Sequence, residues 1–246
     1  MTGPALQVCF SPALLPSIGI KSGCNVVVVD ILRATTSICT AFGYGVTSVV
    51  PVVSRREAGA MKKAGWLVAG ERGGEKLSFA DFGNSPLEFR NDSLKGRELV
   101  FCTTNGTKAI HKASEYGSVL VASFVNLEPV CRWLNNDRRD VLILCSGWKN
   151  SFSLEDAIYA GAMSDLMINA YGFLPVSDEV LASVALWHQA SKNIMKTVSH
   201  SAHFLRLLGI EDRKGLRYCF FPEKYPVIPG LIDGKLVDLQ FRAQIQ

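Results

Sequence analysis

The sequence predicts an α/β protein with a largely parallel or mixed sheet and helices on both faces. Three observations predict this class. The chain has 246 residues, 48% of them hydrophobic and 20% charged, so it can bury a large core and is too apolar for a disordered protein. Short β-branched runs, such as the four valines at residues 26–29, are typical of central parallel strands. These runs alternate with segments of helical periodicity, which is the pattern of βαβ units.

The predicted elements alternate regularly as far as residue 169. The first helix is expected to end at Gly43 and Gly45, since glycine disfavours a continuing helix. Pro51 places the second strand near a sheet edge or at a bulge, because proline has no N–H for the ladder. Strands are predicted at residues 26–29, 48–53, 66–69, 98–102, 118–123 and 140–145. Helices are predicted at residues 34–42, 55–64, 107–116, 128–135 and 154–169.

From residue 177 onward the pattern becomes mostly helical. The segment 179–195 is amphipathic and predicts one helix. A strand pair is predicted around residues 231–239, because the Asp-Gly-Lys sequence at Gly234 is a hairpin-turn signal. We therefore expect an α/β lobe over residues 1–172 and a mostly helical part over residues 173–246, with one continuous domain as the alternative.

Charge and cysteine content limit the partner and the compartment. The chain has 26 basic and 22 acidic residues, a net charge of +4 that is not concentrated in runs, so we expect no nucleic-acid partner. Residues 34–54 are uncharged but contain too many threonines, serines and glycines for a membrane helix, so we expect no membrane contact. Seven cysteines without a Cys-x-x-Cys pair predict buried thiols of a cytoplasmic protein, rather than disulfides or a zinc site.

Four polar clusters follow predicted strands, where ligands bind in open α/β sheets. The first is the segment that begins at Asp30. Asp30 is a candidate nucleophile or Mg²⁺ ligand, and Arg33 carries a planar fork suited to phosphate or carboxylate. Thr35 and Thr36 lie where a helix begins, a position that favours an anion. The alternative is that the threonines cap the helix and Asp30 pairs with Arg33.

The second cluster, at residues 102–108, again opens a helix after a strand. Gly106 would let the backbone approach a ligand closely, and hydroxyls, backbone amides and a lysine could donate to phosphate oxygens. The spacing is not that of a Walker loop. The candidate substrate-binding residues are Thr104, Asn105, Gly106, Thr107 and Lys108. The alternative is a turn that Asn105 caps.

The third cluster is a glycine-rich loop at residues 70–74, with a second polar stretch downstream at residues 83–86. Its candidate residues are Glu71, Arg72, Asn84 and Ser85. Charges flanked by glycines are typical of a mobile binding loop over a site. The alternative is a solvated loop without a ligand.

The fourth cluster contains two adjacent carboxylates, Glu155 and Asp156, which open a helix after the strand at residues 140–145. Such oxygens could bind a hard cation. The alternative is local, because Ser153 and Asp156 resemble a capping box and acids favour the first turn of any helix.

Histidine and cysteine give weaker signals. His200 and His203 lie three residues apart on one face of a helical segment, but no third ligand is within sequence reach. We therefore favour packed or solvated histidines over a metal site. Cys145 ends a predicted strand, yet Lys149 is the only nearby cation, which favours a buried structural thiol over a nucleophile.

Taken in order, these clusters resemble the 2-phosphosulfolactate phosphatase family. The matching segments are DILRATT at residues 30–36, AGERGG at 69–74, FGNSP at 82–86, TTNGTKA at 103–109 and SLEDA at 153–157. The resemblance implies a two-lobed α/β fold with the site between the lobes. It also implies a Mg²⁺-dependent phosphatase that hydrolyses 2-phospho-3-sulfolactate, on the route to coenzyme M, or a related phosphate monoester of a 2-hydroxy acid.

The resemblance also implies roles for individual residues. Asp30 and Arg33 become the expected catalytic residues. Metal ligands are expected at Glu71, Glu155 and Asp156, and the substrate-binding residues are expected among Thr35, Thr36, Arg72, Asn84, Ser85, Thr104, Asn105, Gly106, Thr107 and Lys108. The expected partner is a small anionic phosphate ester, and a homodimer is compatible with the family.

The sequence departs from the family pattern after residue 145. Ser146 replaces an alanine, and the following loop is bulkier because of Trp148 and Lys149. These changes affect the end of the site expected to bind the acid groups, so they bear on the substrate more than on the chemistry.

Two rival functions remain at this point. One is a non-catalytic anion-binding or regulatory protein on the same fold, although acids facing an anion speak against mere binding. The other is a phosphatase of the haloacid-dehalogenase type, which needs a second acid two residues after Asp30, where this chain has Leu32.

Overall fold

The computed structural model of the protein describes residues 3–19, 23–222 and 225–242. Within these residues the strands form one sheet of mostly parallel pairs with helices on both faces, so the predicted α/β class is confirmed. All seven cysteines are buried and free, as predicted. In the described part of the chain, no helix has the length and apolar character that crossing a membrane requires.

Each strand alternates with helices over most of the chain. The strands are β1 (Ala5–Cys9), β2 (Cys24–Val29), β3 (Ser48–Pro51), β4 (Leu67–Arg72), β5 (Glu75–Lys76), β6 (Glu98–Cys102), β7 (Gly117–Ala122), β8 (Val141–Cys145), β9 (Leu174–Pro175), β10 (Pro229–Ile232) and β11 (Lys235–Asp238). The helices are α1 (Ala34–Gly43), α2 (Arg55–Lys63), α3 (Gly106–Ala113), α4 (Leu127–Asp137), α5 (Leu154–Tyr171), α6 (Asp178–Ala190), α7 (Ile194–Val198), α8 (Ala202–Leu207), α9 (Arg213–Tyr218) and α10 (Leu239–Arg242).

The sheet consists of two parallel groups joined by an antiparallel hairpin. Its strand order is β5-β4-β6-β3-β11-β10-β7-β2-β8-β1-β9. One parallel group is β4-β6-β3 and the other is β7-β2-β8-β1-β9. The hairpin β10–β11 lies between them, and a single residue pair joins it to each group: Gly230 with Leu120, and Leu236 with Val49. The last two strands of the chain therefore occupy the middle of the sheet.

The valine run of β2 explains why helices cover both faces. All four valines are buried, and they alternate between two core clusters. Val27 and Val29 pack into the cluster that also contains residues of α4, α5 and α6, whereas Val26 and Val28 face the cluster with residues of α1 and α3. A strand whose two faces are both apolar can be satisfied only by helices on both sides.

Two local predictions are wrong. Strand β3 does not lie at a sheet edge, because β6 and β11 flank it. Pro51 is tolerated there since it is the last residue of β3, and the pairing with β11 is through Val49. The helix predicted over residues 179–195 is broken after Ala190, because the Asn193 side chain accepts a hydrogen bond from the Lys196 N–H at 3.0 Å and starts helix α7.

The division into residues 1–172 and 173–246 stays a prediction. The C-terminal part is mostly helical within the described residues, as expected. It also supplies β9 at one edge of the sheet and the hairpin β10–β11 at its middle, so the two segments share one sheet. Residues 1–2, 20–22, 223–224 and 243–246 lie outside the described residues.

Candidate active site

A cavity of about 280 Å³ lies where four segments of the sheet meet helix α8. Residues that follow β2, β6 and β8 line it, together with the end of β4 and the loop after it. Six of the predicted site residues lie on its wall: Asp30, Arg33, Glu71, Asn84, Thr104 and Asn105. Three of the four polar clusters supply these six residues, and the segment of the fourth cluster supplies Trp148 and Lys149, as expected for strand ends in an α/β sheet.

Asp30 is held at the end of β2 by the first turn of α1. Its backbone N–H donates to Thr35 Oγ1 at 3.0 Å, and the same hydroxyl donates to the Asp30 carbonyl at 2.9 Å. The Ala34 N–H lies 3.3 Å from Asp30 Oδ1. Only 6% of Asp30 is exposed, although its side chain lines the cavity. The helix start thus fixes this carboxylate in position.

The surroundings of Asp30 raise its pKa from 3.8 to about 6. Burial is the main cause, and the negative charges of Glu71 and Glu155 add to it. The charge of His203 and the Ala34 N–H act in the opposite direction. Asp30 therefore lies within electrostatic reach of carboxylates from two other predicted clusters.

Arg33 lies on the cavity wall in an ion pair with Glu211. Its Nη2 also donates to the Gly74 carbonyl at 2.9 Å, and only 4% of the residue is exposed. The Asp30–Arg33 pair, which was the alternative to a functional role, is absent from the contacts of the described residues, and Arg33 pairs with Glu211 instead. Arg33 thereby links the first helix to the glycine-rich loop and to the segment after α8.

Glu71 fixes the glycine-rich loop. Its Oε1 accepts a hydrogen bond from the Thr104 N–H at 2.6 Å, and its Oε2 accepts from the Gly74 N–H at 2.7 Å and from Thr104 Oγ1 at 3.1 Å. These bonds join the loop after β4 to the loop after β6. Glu71 is 6% exposed and lies on the cavity wall, and these three hydrogen bonds fix the orientation of its carboxylate.

Asn84 reaches the same wall from the downstream stretch of the third cluster. Ser37 Oγ in α1 donates to its backbone carbonyl at 2.9 Å, which holds the segment in place. Its side-chain Oδ1 is buried and has no hydrogen-bond partner within the part of the chain that the structure describes. An acceptor left in this way on a cavity wall is available to a ligand.

Asp156 ties the segment after β2 to the segment after β8. Its Oδ1 accepts from the Ile31 N–H at 2.9 Å, and its Oδ2 accepts from the Gly147 N–H at 3.2 Å and Ser146 Oγ at 3.3 Å. Burial, with the charges of Glu155 and Asp30, raises its pKa well above the usual range. The Asp156 N–H also donates to Ser153 Oγ at 3.4 Å, as the capping alternative predicts.

Glu155 contacts a residue that the sequence analysis did not place in the site. Its Oε1 lies 2.6 Å from Nδ1 of His203, a residue of α8 on the cavity wall. Its Oε2 is buried without a hydrogen-bond partner among the described residues. The His203 ring stacks on Trp148 with centroids 5.5 Å apart and an interplanar angle of 10°.

Two further cations lie on the wall beside Trp148. Lys149 Nζ is 4.9 Å from the centre of the indole ring, and the Arg206 guanidinium is 5.6 Å from it. Arg206 also donates from Nη1 to the Gly73 carbonyl at 2.7 Å. Together with Arg33 they give the wall three cations, which share it with the carboxylates of Asp30 and Glu71.

Comparison with known proteins identifies the family. The family model described as 2-phosphosulpholactate phosphatase matches residues 9–234. The chain belongs to the 2-phosphosulfolactate phosphatase family. The predicted family, and with it the class of phosphoric monoester hydrolase, is thereby confirmed.

Relatives over nearly the full length agree. A protein of Thermotoga petrophila is 34% identical over 87% of this chain and 92% of its own length. One of Gloeothece citriformis is 36% identical over 91% of this chain and 95% of its own length. One of Microcystis aeruginosa is 36% identical over 82% of this chain and 87% of its own length. Each is named "Probable 2-phosphosulfolactate phosphatase".

In this member of the phosphatase family, several predicted substrate-binding residues lie behind the cavity wall. Thr35 Oγ1 is used by Asp30, and Thr36 Oγ1 donates to the Ile31 carbonyl at 3.0 Å. Thr107 exchanges hydrogen bonds with Thr103, including one from Thr107 Oγ1 to the Thr103 carbonyl at 3.1 Å. These hydroxyls stabilise the strand-to-helix turns, but among the described residues neither α1 nor α3 has a side-chain hydrogen bond at its N-cap, so the capping alternative does not describe them. Their contact with a substrate stays a prediction.

The remaining candidates are also placed away from the cavity lining. Arg72 turns to the opposite side of the loop, where its Nη2 donates to the Val53 carbonyl at 2.6 Å. Lys108 is exposed on α3, and Ser85 is half-buried in the loop before residues 86–89. Gly106 lies against Asp30, since a Cβ there would be 2.9 Å from Asp30 Oδ2. Their predicted substrate contacts remain untested.

The phosphatase-family site also contains residues that the sequence analysis missed or only considered. Trp148 and Lys149 stood out as a departure from the family pattern, whereas His203 and Arg206 lie in a helical part without a strand-end signal. Both face the cavity from the single turn-and-a-half of α8. The sequence feature that could have identified them is their spacing of three residues, which places both side chains on the same face of a helix.

The expected metal ligands do not form one site. Within the described residues, no group of three histidine, cysteine, aspartate or glutamate side chains is arranged to hold a metal ion. Asp156 is engaged by backbone amides and Glu155 by His203, whereas Glu71 alone of the three lines the cavity.

Proposed function

We propose that the protein is a phosphatase that hydrolyses 2-phospho-3-sulfolactate, or a related phosphate monoester of a 2-hydroxy acid, to the hydroxy acid and phosphate. The observation that carries the proposal is the mixture of charges in one cavity. Three cations, Arg33, Lys149 and Arg206, lie on its wall beside the buried carboxylate of Asp30. Phosphoryl transfer depends on positioning and on neutralising charge, and this wall supplies both.

The size and composition of the cavity support a small, densely anionic substrate. About 280 Å³ accommodates a three-carbon acid with a phosphate and a second acidic group. Arg33 is held by Glu211 and the glycine-rich loop, so it is pre-oriented towards the cavity. Lys149 and Arg206 both lie against Trp148, and we assign them to the carboxylate and sulfonate groups.

Asp30 is the group we assign to attack on phosphorus, either directly or by activating a water molecule. Its fixed position at the end of β2 and its exposure to the cavity support both roles. A trapped phosphoenzyme on Asp30 would select direct attack. Incorporation of labelled oxygen from water directly into phosphate during a single turnover would select the activated water.

Mg²⁺ remains part of the proposal, with a smaller donor set than the sequence predicted. Mg²⁺ binds through one or two protein oxygens and keeps waters and phosphate oxygens as its other ligands. The Glu71 carboxylate and the unpartnered Oδ1 of Asn84 on the same wall suit such a site. Glu155 and Asp156 are not part of this set. When bound, the ion would neutralise phosphate charge.

The decisive experiment is phosphate release from a panel of 2-hydroxy-acid phosphate esters, with Mg²⁺ and with EDTA. We expect release that requires Mg²⁺ and is fastest with 2-phospho-3-sulfolactate. Calorimetric titration of Mg²⁺ into wild type and Glu71→Gln should show binding only to the former. A failure to release phosphate from every ester would overturn the proposal and favour a non-catalytic anion-binding protein.

A further inference from the structure

His203 lines the cavity, but the reaction as described above assigns it no role. It lies in α8, whose first turn is capped by Ser201 Oγ accepting from the Phe204 N–H at 3.2 Å. Its Nδ1 is bound to Glu155 Oε1 at 2.6 Å, and the side chains are 9% and 1% exposed. This is a buried ion pair, and its histidine lines the cavity.

Two contacts fix the orientation of the His203 ring. Nδ1 is hydrogen-bonded to the Glu155 carboxylate, and Trp148 stacks on one face of the ring at a centroid distance of 5.5 Å. Nε2 has no hydrogen-bond partner among the described residues, and the side chain lines the cavity. The free nitrogen is thus the one on the side of the ring opposite the carboxylate.

Glu155 is arranged to support a proton on this histidine. Its Oε2 is buried without a partner in the described part of the chain, so His203 is the principal partner of its charge. A carboxylate on Nδ1 fixes that proton and leaves Nε2 to give or take the second one. The other charged side chains on the same cavity wall are those of Asp30, Arg33, Glu71, Lys149 and Arg206.

We propose that His203 is the acid and base of the phosphatase reaction and that Glu155 is its positioning residue. This proposal rests on the proposed function. The ester oxygen of a 2-hydroxy acid is a poor leaving group as an alkoxide, and a proton delivered as the bond breaks lowers that barrier. The two predicted catalytic residues do not supply this proton, because Asp30 is assigned to attack on phosphorus and the guanidinium group of Arg33 stays protonated.

The protons balance with a single histidine when Asp30 attacks. An Asp30 oxygen forms a bond to phosphorus, the bond from phosphorus to the ester oxygen breaks, and that oxygen takes its electron pair and the proton from His203 Nε2. The hydroxy acid leaves, and Nε2 then removes a proton from a water molecule whose oxygen attacks phosphorus. The bond between phosphorus and Asp30 breaks with its electron pair returning to the carboxylate, so one water is consumed and both residues are restored.

The test compares two leaving groups in His203→Gln. For 2-phospho-3-sulfolactate, kcat should fall about 10²- to 10⁴-fold, because the leaving oxygen loses its proton donor. For 4-nitrophenyl phosphate, whose leaving group needs no proton, kcat should fall much less, by about tenfold or less, with the remaining loss reflecting the second step. The aryl ester thereby also reports that the variant still folds around an intact site. His200→Gln, three residues earlier and exposed, is the matched control and should match wild type on both esters.

Glu155→Gln tests the positioning role. It should lower kcat for the alkyl ester less than His203→Gln does, again with the aryl ester less affected, and have no further effect in the double variant. Equal losses on both esters in His203→Gln would indicate a structural role and overturn the proposal, as would wild-type activity on both. If wild type released phosphate from neither ester, the proposed function itself would fail, and this proposal with it.

Discussion

Five acidic side chains lie in or next to the cavity, and their different hydrogen-bond partners give them different roles. Asp156 and Glu71 join loops by accepting backbone N–H groups, Glu211 pairs with Arg33, and Glu155 pairs with His203. Of these five, Asp30 alone lines the cavity with a side chain whose hydrogen bonds, within the described residues, come from the start of α1 and from no other segment.

The sequence could not distinguish these acids, because strand-end position alone is the same for an acid that binds a ligand and one that binds a backbone amide. The identity of Asp30 and Arg33 as wall residues followed from their cluster, and the structure places both there. His203 could not be assigned, since its partner Glu155 is 48 residues away in sequence. Long-range pairs of this kind leave no local pattern.

Asp30→Asn should raise the free energy of unfolding at pH values above the folded-state pKa of Asp30. The folded-state pKa of Asp30 is raised from 3.8 to about 6, so the folded protein holds this proton more tightly than the unfolded chain. The stability contributed by the group is complete below the unfolded pKa and is lost as pH rises through about 6. At pH 8 the free energy of unfolding by urea should therefore be higher for the variant than for wild type by about 2 to 3 kcal/mol, and the difference should vanish at about pH 3, below the unfolded pKa.

The same Asp30→Asn variant should have no phosphatase activity at any pH. Asp178→Asn, at an exposed helix start, is the matched control and should show neither the activity loss nor the pH-dependent gain. A variant of Asp30 that is less stable than wild type at pH 8 would contradict the assigned burial of its charge.

Most helices and strands were predictable because the hydrophobic periodicity that indicates them lies within the element itself. Where an element was not predicted, its own residues lack that pattern. The helix at residues 154–171 and the strand at residues 98–102 match their predictions closely. Strand β1 was not predicted, because five residues with Gln7 at the centre do not stand out beside Pro4. Its place next to β8 is set by burial of Leu6 and Val8 against the core.

The packing of α1 against α3 decides where Asp30 lies. Gly106 opens α3, and a Cβ at that position would be 2.5 Å from the Ala34 Cβ and 2.9 Å from Asp30 Oδ2. The glycine is thus needed for close contact of the two helix starts, and the close approach of a ligand that the sequence suggested stays a prediction.

Gly106→Ala should separate these helix starts. We expect a loss of about 1 to 3 kcal/mol in denaturant unfolding and a lower kcat/KM, because the new methyl group displaces Asp30 or Ala34. Gly59→Ala is the control within α2, where a Cβ would meet nothing closer than 3.9 Å. It should gain up to about 1 kcal/mol from helix propensity with unchanged activity. Similar effects of both substitutions would refute the packing argument.

At the scale of the whole molecule, the hairpin β10–β11 joins the two parallel groups of the sheet. The α/β class followed from the alternation of patterns, but strand order did not, because the sequence carries no local signal for a C-terminal hairpin in the middle of a sheet. Leu236, fully buried in β11, pairs with Val49 of one group, while Gly230 pairs with Leu120 of the other. We therefore expect both groups to unfold together.

Leu236→Ala tests this coupling by calorimetry. The truncation of a fully buried leucine should cost about 2 to 5 kcal/mol, and the melting curve should keep one transition at a lower temperature. Leu205→Ala, at a residue that is 55% exposed, should cost about 0.5 kcal/mol or less. Two separate transitions, with only one displaced by Leu236→Ala, would support independent lobes instead.

The position of the hairpin also constrains how the nascent chain acquires its structure during synthesis. The ribosome makes β3 and β7 long before β10 and β11, yet these late strands are the ones that pair with them. Until the hairpin emerges, β3 and β7 each present an unpaired edge, which is a template for association with other chains. Delayed closure of the sheet therefore makes the emerging polypeptide most vulnerable to aggregation, and most dependent on chaperones, just before its last two strands are translated.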